Sequence, residues 1–148
     1  MGKPMEATFH HVAIAVRDMD RMIDFYRDCM DFSIEWEKPA YSGPGFEKVV
    51  ALNGAKARVV MLSGHGMHLE LFHYLNPPGL DLGELRMCDF GYTHFALTVK
   101  GLPSIYSRLV EAHTVFNSPP QNLRPGVLAA YLKDPEGNTI ELVQYEDA

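Results

Sequence analysis

The chain has 148 residues and a formal net charge of −6, and its 47% hydrophobic and 22% charged residues are typical of a globular domain. The acidic balance argues against nucleic-acid binding, which needs a basic surface, and the sequence has neither an apolar run that could span a membrane nor a signal peptide. The two cysteines lack a Cys-x-x-Cys spacing, so we expect reduced thiols and a cytoplasmic protein.

The first half of the chain predicts a strand, a helix and then further strands. Alternating apolar residues over 8–16 indicate the first strand, and apolar residues at helical spacing indicate a helix over about 19–30. The dipeptide Asn53-Gly54 is typical of a hairpin turn. The segment 76–91 is predicted to be a linker because it combines Pro, Gly and mixed charges. Three or four further strands are expected near 32–37, 46–53, 57–63 and 67–74.

The second half repeats this order. A helix from Leu102 to about His113 follows a strand over 92–99, and the segment 118–126, which contains three prolines, is predicted to be a loop. Further strands are expected near 114–117, 128–133 and 139–145. We therefore predict an α+β fold in which two tandem βαβββ modules form curved mixed sheets. The two modules and the linker form one domain: module 1 covers about 8–75, the linker about 76–91 and module 2 about 92–148.

Each half opens with a strand that carries a histidine and ends with a strand that carries a glutamate. These residues are His11 and Glu70 in the first half, and His94 and Glu141 in the second. Strand alternation places each of the four on the face opposite the bulky apolar residues, and the two histidines have small neighbours on that face. All four side chains can therefore converge on one cavity. Two carboxylates in a dry cavity would repel each other, and a divalent metal would remove that cost.

The ordered motifs of the chain resemble the vicinal oxygen chelate superfamily, which includes glyoxalase I, methylmalonyl-CoA epimerase, extradiol dioxygenases and fosfomycin-resistance proteins. The resemblance implies a paired βαβββ fold around a metal-binding cavity with one divalent metal per site. Ni, Co, Zn, Mn and Fe(II) are all compatible with two imidazoles and two carboxylates. Members of this size are usually homodimers. The motifs are His10-His11-Val12-Ala13-Ile14-Ala15-Val16, Phe25-Tyr26-Arg27-Asp28, His94-Phe95-Ala96 and the segment 133–142, and the implied ligands are His11, Glu70, His94 and Glu141.

The chemistry implied by this ligand set is proton transfer. A metal that chelates two neighbouring oxygens of a small-molecule substrate polarises a carbonyl and stabilises an enediolate. A carboxylate that loosens from the metal can act as the base, and Glu141 and Glu70 are the candidates. We therefore predict a metal-dependent isomerase, an epimerase or a glyoxalase-type lyase.

Departures from the named families leave the substrate open. The epimerases usually carry Gln at the position of Glu70, and glutathione-binding glyoxalases tend to place an arginine where this chain has only Lys38 and Lys48. One alternative function is an Fe(II) extradiol-type dioxygenase, which needs two histidines and one carboxylate. Another is a non-enzymatic binding protein of the bleomycin-resistance type. The metal site can be built within one chain or across a dimer.

Three further residues lie beside the candidate ligands. Phe72 and Tyr131 could line the cavity, although aromatic residues on strands more often belong to the core. His10 lies on the opposite strand face from His11, so we interpret it as a structural residue of the helix-packing face.

Overall fold

A computed structural model describes residues 2–146 and divides them between two compact units, each with one β-sheet. The first unit comprises the described residues up to Met19 together with Asp31–Gly79. The second comprises Asp20–Met30 and the described residues from Leu80 onward. Within residues 2–146, no helix has both the length and the apolar character needed to cross a membrane.

The elements follow the βαβββ order twice, with one additional helix in the first half and one additional strand, Gln121–Arg124, in the second. They are β1 (Val12–Ala15), α1 (Met19–Asp24), a π-helical turn (Phe25–Cys29), β2 (Ser33–Ser42), α2 (Pro44–Val50), β3 (Lys56–Gly64), β4 (Met67–Asn76), β5 (His94–Thr98), α3 (Leu102–Glu111), β6 (Val115–Phe116), β7 (Gln121–Arg124), β8 (Val127–Lys133) and β9 (Thr139–Tyr145). The predicted α+β fold of paired βαβββ units is confirmed.

The sheet of the first unit has the strand order β1-β4-β3-β2. Strand β1 runs parallel to β4, while β2, β3 and β4 pair antiparallel. His65 and Gly66 join β3 to β4 with φ values of 55° and 77°, the backbone of a tight hairpin turn. Pro39 lies on the edge strand β2, where its missing N–H removes no ladder hydrogen bond that the sheet needs.

The sheet of the second unit repeats the same plan with the order β5-β9-β8-β6, and β7 also pairs with β8. Strand β5 runs parallel to β9, and helix α3 packs on β9. Leu102 and Leu109 of this helix are buried, as are Ile140 and Leu142, which point away from the face that carries Glu141. Burying such side chains contributes about 1.5–3 kcal/mol each, so this apolar face stabilises the sheet on which the polar face is built.

The expected strand over 46–53 is wrong, because Pro44–Val50 forms helix α2. Proline favours the first helical turn, and Ala51 ends the helix in a left-handed conformation with φ of 58°. The apolar residues of this stretch recur at helical spacing. The Asn53-Gly54 turn therefore joins α2 to β3 instead of joining two strands.

Two other expectations need adjustment. The predicted loop 118–126 contains strand β7, which pairs with β8 and lengthens the second sheet. The predicted helix over 19–30 is present, but its second half is a π-helical turn. In that turn the buried Tyr26 hydroxyl donates a hydrogen bond of 2.8 Å to the buried carboxylate of Asp134.

Candidate metal centre

His11 and Glu70 come together in the first unit. His11 directly precedes β1, and the parallel pairing of β1 with β4 places Ala13 opposite Glu70. The histidine therefore lies two residues before the strand partner of the glutamate. Its Nε2 atom is 3.4 Å from Glu70 Oε1, and the glutamate side chain is only 13% exposed.

His94 and Glu141 form the equivalent pair in the second unit. Ala96 is the β5 partner of Glu141 on β9, so His94 again lies two residues before the partner of the glutamate. The distance from His94 Nε2 to Glu141 Oε2 is 3.2 Å, and the glutamate side chain is 17% exposed. The two units thus build the same His–Glu pair from the same strand register.

The other ring nitrogen of each histidine also has a partner, contributed by the preceding residue. Nδ1 of His11 lies 2.6 Å from Nδ1 of His10, and Nδ1 of His94 lies 2.8 Å from Thr93 Oγ1. With its proton on Nδ1, each histidine donates to this partner and keeps the Nε2 lone pair on the side of the carboxylate. His10 was expected on the helix-packing face, but it is exposed and contacts His11.

The two pairs differ in the residue across the antiparallel ladder. Tyr131 lies directly opposite Glu141, and its hydroxyl is 3.4 Å from His94 Nε2, whereas Met61 lies opposite Glu70. Burial raises the pKa of Tyr131 above its usual value, and the negative charge of Glu141 raises it further. Tyr131 therefore stays protonated at neutral pH and provides a hydrogen-bond donor that the first pair lacks at this position.

The donor set of each pair fits a divalent metal but does not complete a site. Each pair supplies one imidazole nitrogen and one carboxylate oxygen, which are donors that Zn, Ni, Co, Mn and Fe accept. Across residues 2–146, no three His, Cys, Asp or Glu side chains form a group that could hold a metal ion. Protein metal centres use three or four side-chain ligands, so two donors from one pair are too few.

A cavity of about 460 Å³ adjoins the His–Glu pair of the first unit. The sheet forms the base of the cavity. Glu70, Met61 and Trp36 lie side by side, in one row, on three adjacent strands there. The next row contains Phe72, Val59 and Lys38. Helix α2 forms another wall. The lining residues are His11, Trp36, Lys38, Tyr41, Gly45, Phe46, Val49, Val50, Val59, Glu70 and Phe72.

The aromatic wall of this cavity was largely missed from the sequence. Phe72 lines the cavity, as the sequence suggests, whereas the positions of Trp36, Tyr41 and Phe46 in the lining are not evident from the strand pattern. The ring of Phe46 stacks nearly parallel to Phe72, with centroids 6.4 Å apart. The spacing of the apolar residues after Pro44 could have revealed that Phe46 lies on a helix facing the sheet.

Comparisons with known proteins agree with this fold. The chain is 26% identical over 141 residues to a protein of Brassica oleracea var. gemmifera described as a candidate lactoylglutathione lyase. The match covers 92% of this chain but 44% of that protein, so the chain spans less than half the length of this relative.

Two solved structures share the architecture. A glyoxalase family protein from Bacillus cereus is 21% identical, with a TM-score of 0.87 and 99% of both chains covered. A genomically encoded fosfomycin resistance protein from Listeria monocytogenes is 13% identical, with a TM-score of 0.68 and 96% of both chains covered. The sequence model of the Glyoxalase/Bleomycin resistance protein/Dioxygenase superfamily matches residues 8–142. The chain therefore belongs to this superfamily, whose members share the vicinal oxygen chelate fold.

Proposed function

We propose that the chain is a divalent-metal-dependent enzyme that removes a proton from the carbon next to a metal-chelated carbonyl of a small substrate and returns it to the same or the neighbouring carbon, as a glyoxalase-type lyase, an isomerase or an epimerase. The observation that carries this proposal is the repetition of one His–Glu arrangement, at one strand register, in both units. Together the two pairs supply two nitrogen and two oxygen donors for one ion, within one chain or across a homodimer. The proposed ligands are His11, Glu70, His94 and Glu141.

The bound ion would supply Lewis-acid polarisation of a substrate carbonyl, which acidifies the adjacent C–H bond. The protein supplies the base. A carboxylate oxygen of Glu70 or Glu141 takes the proton from one carbon and returns it to the same or the neighbouring carbon. No electrons are gained or lost, so the step needs no oxidant. Glu70 is the better placed of the two, because the cavity of the first unit adjoins it.

The environment of Glu70 suits this role. Its side chain is 13% exposed and faces apolar and aromatic cavity walls, where a proton acceptor is shielded from bulk water. The hydrogen bond that His11 donates to His10 orients the His11 imidazole beside Glu70. The relative that is described as a candidate lactoylglutathione lyase supports the same class of reaction.

Metal content tests the binding half of the proposal. Protein purified without chelator should contain about one divalent ion per site, and competition with a chromogenic chelator should give its affinity. Glu141→Gln and His11→Ala should each weaken binding, while His113→Asn should not. His113 is a matched control because it is exposed, and asparagine tolerates its φ of 64°. Unchanged metal affinity in both ligand variants would remove these residues from the site.

Isotope exchange tests the catalytic half. Metal-loaded protein in D₂O should transfer deuterium into the hemithioacetal formed by glutathione and a 2-oxoaldehyde, or into an α-hydroxy ketone. The Glu70→Gln variant, loaded with the same metal, should slow exchange about 10²–10⁴-fold, the usual contribution of a general base. Full exchange by the loaded Glu70→Gln variant would exclude Glu70 as the base.

A second candidate function is stoichiometric binding of a small molecule without turnover. It is favoured by the apolar and aromatic walls of the cavity of the first unit, which adjoins only two of the proposed ligands, His11 and Glu70. Tight ligand binding that metal removal leaves unchanged, without isotope exchange for any substrate class, would support this candidate. Oxygen consumption with catechols by the Fe(II)-loaded protein would instead indicate a dioxygenase.

A further inference from the structure

We propose that the cavity of the first unit selects a compact substrate with an apolar, planar body and a carboxylate, and that Lys38 binds this carboxylate. The inference rests on the proposed function for the reaction at Glu70 and His11. Binding of the anion itself needs no metal, so the two can be tested separately. Lys38 would then determine substrate specificity at the end of the cavity remote from the His–Glu pair.

Lys38 lies at the wall of the cavity, on the same face of the sheet as Trp36. It lies on β2 two residues after Trp36, so both side chains occupy the cavity face of the sheet. Its Nζ lies 4.5 Å from the ring centroid of Tyr41 and 5.5 Å from that of Trp36. Cation–π attraction to two rings holds the ammonium group at the cavity wall.

No carboxylate of the described residues neutralises the charge of Lys38. The neighbouring carboxylates on β2 have partners of their own: Glu37 pairs with Arg58, and Glu35, at a bulge of β2, pairs with His68. Among residues 2–146, no carboxylate forms an ion pair with Lys38. An ammonium group that is held among aromatic rings, with no carboxylate partner among residues 2–146, can donate charge-assisted hydrogen bonds to an anionic ligand.

The cavity has a positive charge at one end, from Lys38, and a negative charge at the other, from Glu70. Glu70 is aligned with Trp36 two strands away, and Lys38 lies two residues after Trp36 along β2. Standard strand spacing therefore puts about 12 Å between the Cα atoms of Lys38 and Glu70. An anionic ligand is attracted at the Lys38 end and repelled by Glu70 at the other. Charge therefore orients the substrate, so that its carboxylate faces Lys38 and its reacting oxygens face the His–Glu pair.

The walls of the cavity determine what kind of ligand body can bind. The walls between the two ends are aromatic and aliphatic, provided by Trp36, Phe46, Val59 and Phe72. Such walls favour planar apolar groups, and a cavity of about 460 Å³ limits the ligand to a small molecule. An α-hydroxy ketone on a benzene ring with a carboxylate at the para position combines these features, with the carboxylate at one end of the planar body and the two neighbouring oxygens at the other.

The single tryptophan of the chain, Trp36, provides a direct readout. 4-(Hydroxyacetyl)benzoate and its uncharged methyl ester can be titrated into metal-free protein in the presence of EDTA, with quenching of Trp36 fluorescence as the signal. Because a charge-assisted hydrogen bond distinguishes the two ligands, the acid should bind about 10- to 100-fold more tightly than the ester. Lys38→Met should abolish this preference while changing ester affinity less than about twofold, and Lys38→Arg should retain it.

Lys48→Met is the matched control, since Lys48 is an exposed lysine of α2 that does not line the cavity. It should leave the acid preference unchanged. Equal binding of acid and ester by the unmodified protein, or an acid preference that survives in folded Lys38→Met protein, would overturn the proposal. Metal affinity should be the same in Lys38→Met and the unmodified protein. If a protein binds metal but does not prefer the acid, the result bears on the role of Lys38 and leaves the proposed reaction untouched. If it prefers the acid but does not bind metal, the result bears on the proposed reaction and leaves the role of Lys38 untouched.

Discussion

His94 Nε2 lies 3.2 Å from a carboxylate oxygen of Glu141, and the residue two positions after His94 is the strand partner of that glutamate. His11 and Glu70 have the same relationship at 3.4 Å. Strand register sets both distances, and register is fixed by the buried apolar face of each sheet. A slip of one residue would turn every histidine and glutamate side chain to the opposite face. The donor pairs are therefore held in place by the fold before any ligand binds.

The hydrogen bond from His94 to Thr93 leads to the first prediction. Thr93→Val removes the acceptor of the Nδ1 proton at nearly constant volume, so the imidazole loses its fixed orientation. We expect metal affinity to fall about 10–100-fold, as for other residues that orient a metal ligand. Thr93→Ser keeps the acceptor and should stay close to the unmodified affinity. Equal affinities for all three proteins, measured by chelator competition, would contradict the proposed role.

The buried contact between Tyr26 and Asp134 leads to a prediction on stability. The Asp134 carboxylate accepts hydrogen bonds from Tyr26, from the backbone N–H groups of Glu136 and Asn138, and from the Asn138 amide. Tyr26→Phe removes one of these donors from a buried charge and should lower the free energy of unfolding by about 1–3 kcal/mol. Urea unfolding measures the change. Tyr145→Phe, at a position that is 52% exposed and lies outside the proposed interface, should have no effect.

The same contact predicts how stability depends on alkaline pH. Burial raises the pKa of Tyr26 well above its usual value, and the nearby charge of Asp134 raises it further. Above about pH 10 the unfolded chain releases this proton while the folded protein retains it, so the free energy of unfolding decreases as pH rises. Tyr26→Phe lacks this term and should show a shallower decrease. Parallel pH profiles of the two proteins between pH 8 and 11 would show that Tyr26 does not contribute.

Gly54 leads to a prediction about the junction between α2 and β3. Its N–H donates to the Glu47 carboxylate, and its carbonyl accepts a hydrogen bond of 2.7 Å from the Asn76 amide. A Cβ at this position, where φ is 68°, would lie 2.9 Å from Asn76 Nδ2. Gly54→Ala should therefore cost about 1–3 kcal/mol of stability, from backbone strain and the displaced amide. Gly66→Ala is the control, because φ is 77° there and a Cβ meets no atom within 4 Å.

Gly54→Ala should be more destabilising than Gly66→Ala in thermal unfolding. The difference should disappear in an Asn76→Ala background, where the clash is removed. A difference that persists without Asn76 would place the cost elsewhere in the junction.

The proposed homodimer leads to a prediction about the segment between the two halves of the chain. Five large apolar side chains in this segment are between 50% and 108% exposed: Leu80, Leu82, Leu85, Phe90 and Tyr92. Apolar surface of this extent is typical of an interface, and we propose a second copy of the chain as its partner. Light scattering should give twice the 16.6 kDa mass of one chain, and Phe90→Ser with Tyr92→Ser should give the monomer mass. Leu123→Ser, at another exposed apolar residue, should leave the mass unchanged.

The sequence predicts most strands because alternation is a direct consequence of sheet geometry. The alternation of His94, Ala96 and Thr98 against Phe95 and Leu97 correctly identifies the two faces of β5, and the apolar residues are the more buried ones. The pairing of Glu141 with the face of His94 follows from the same rule. The predicted roles of these residues in metal binding remain predictions.

The wall of the first cavity could not be predicted in the same way. Residues 46–53 are rich in apolar and β-branched types, which short strands and short helices share. The helical outcome depends on Pro44 and on the left-handed end at Ala51, which are local signals of α2. Which aromatic rings meet there depends on the irregular pairing of β2 with β3, between Lys38 and Tyr41. Such bulges are set by tertiary packing and leave no clear sequence pattern.

The placement of Asp20–Met30 in the second unit has a consequence for synthesis on the ribosome. Tyr26 and its partner Asp134 are 108 positions apart, so at about 5–20 residues per second Tyr26 is made about 5–20 s before Asp134. The strands of the first unit are complete once residue 76 has emerged from the ribosome. The helical segment Asp20–Met30, which lies between β1 and β2 in the sequence, belongs to the second unit and must wait for strands β8 and β9. During that interval its apolar side chains, including Phe25 and Tyr26, lack their final surroundings. Nascent chains stalled with between 80 and 130 residues outside the ribosome should therefore recruit chaperones through this helix, although the strands on either side of it have all emerged.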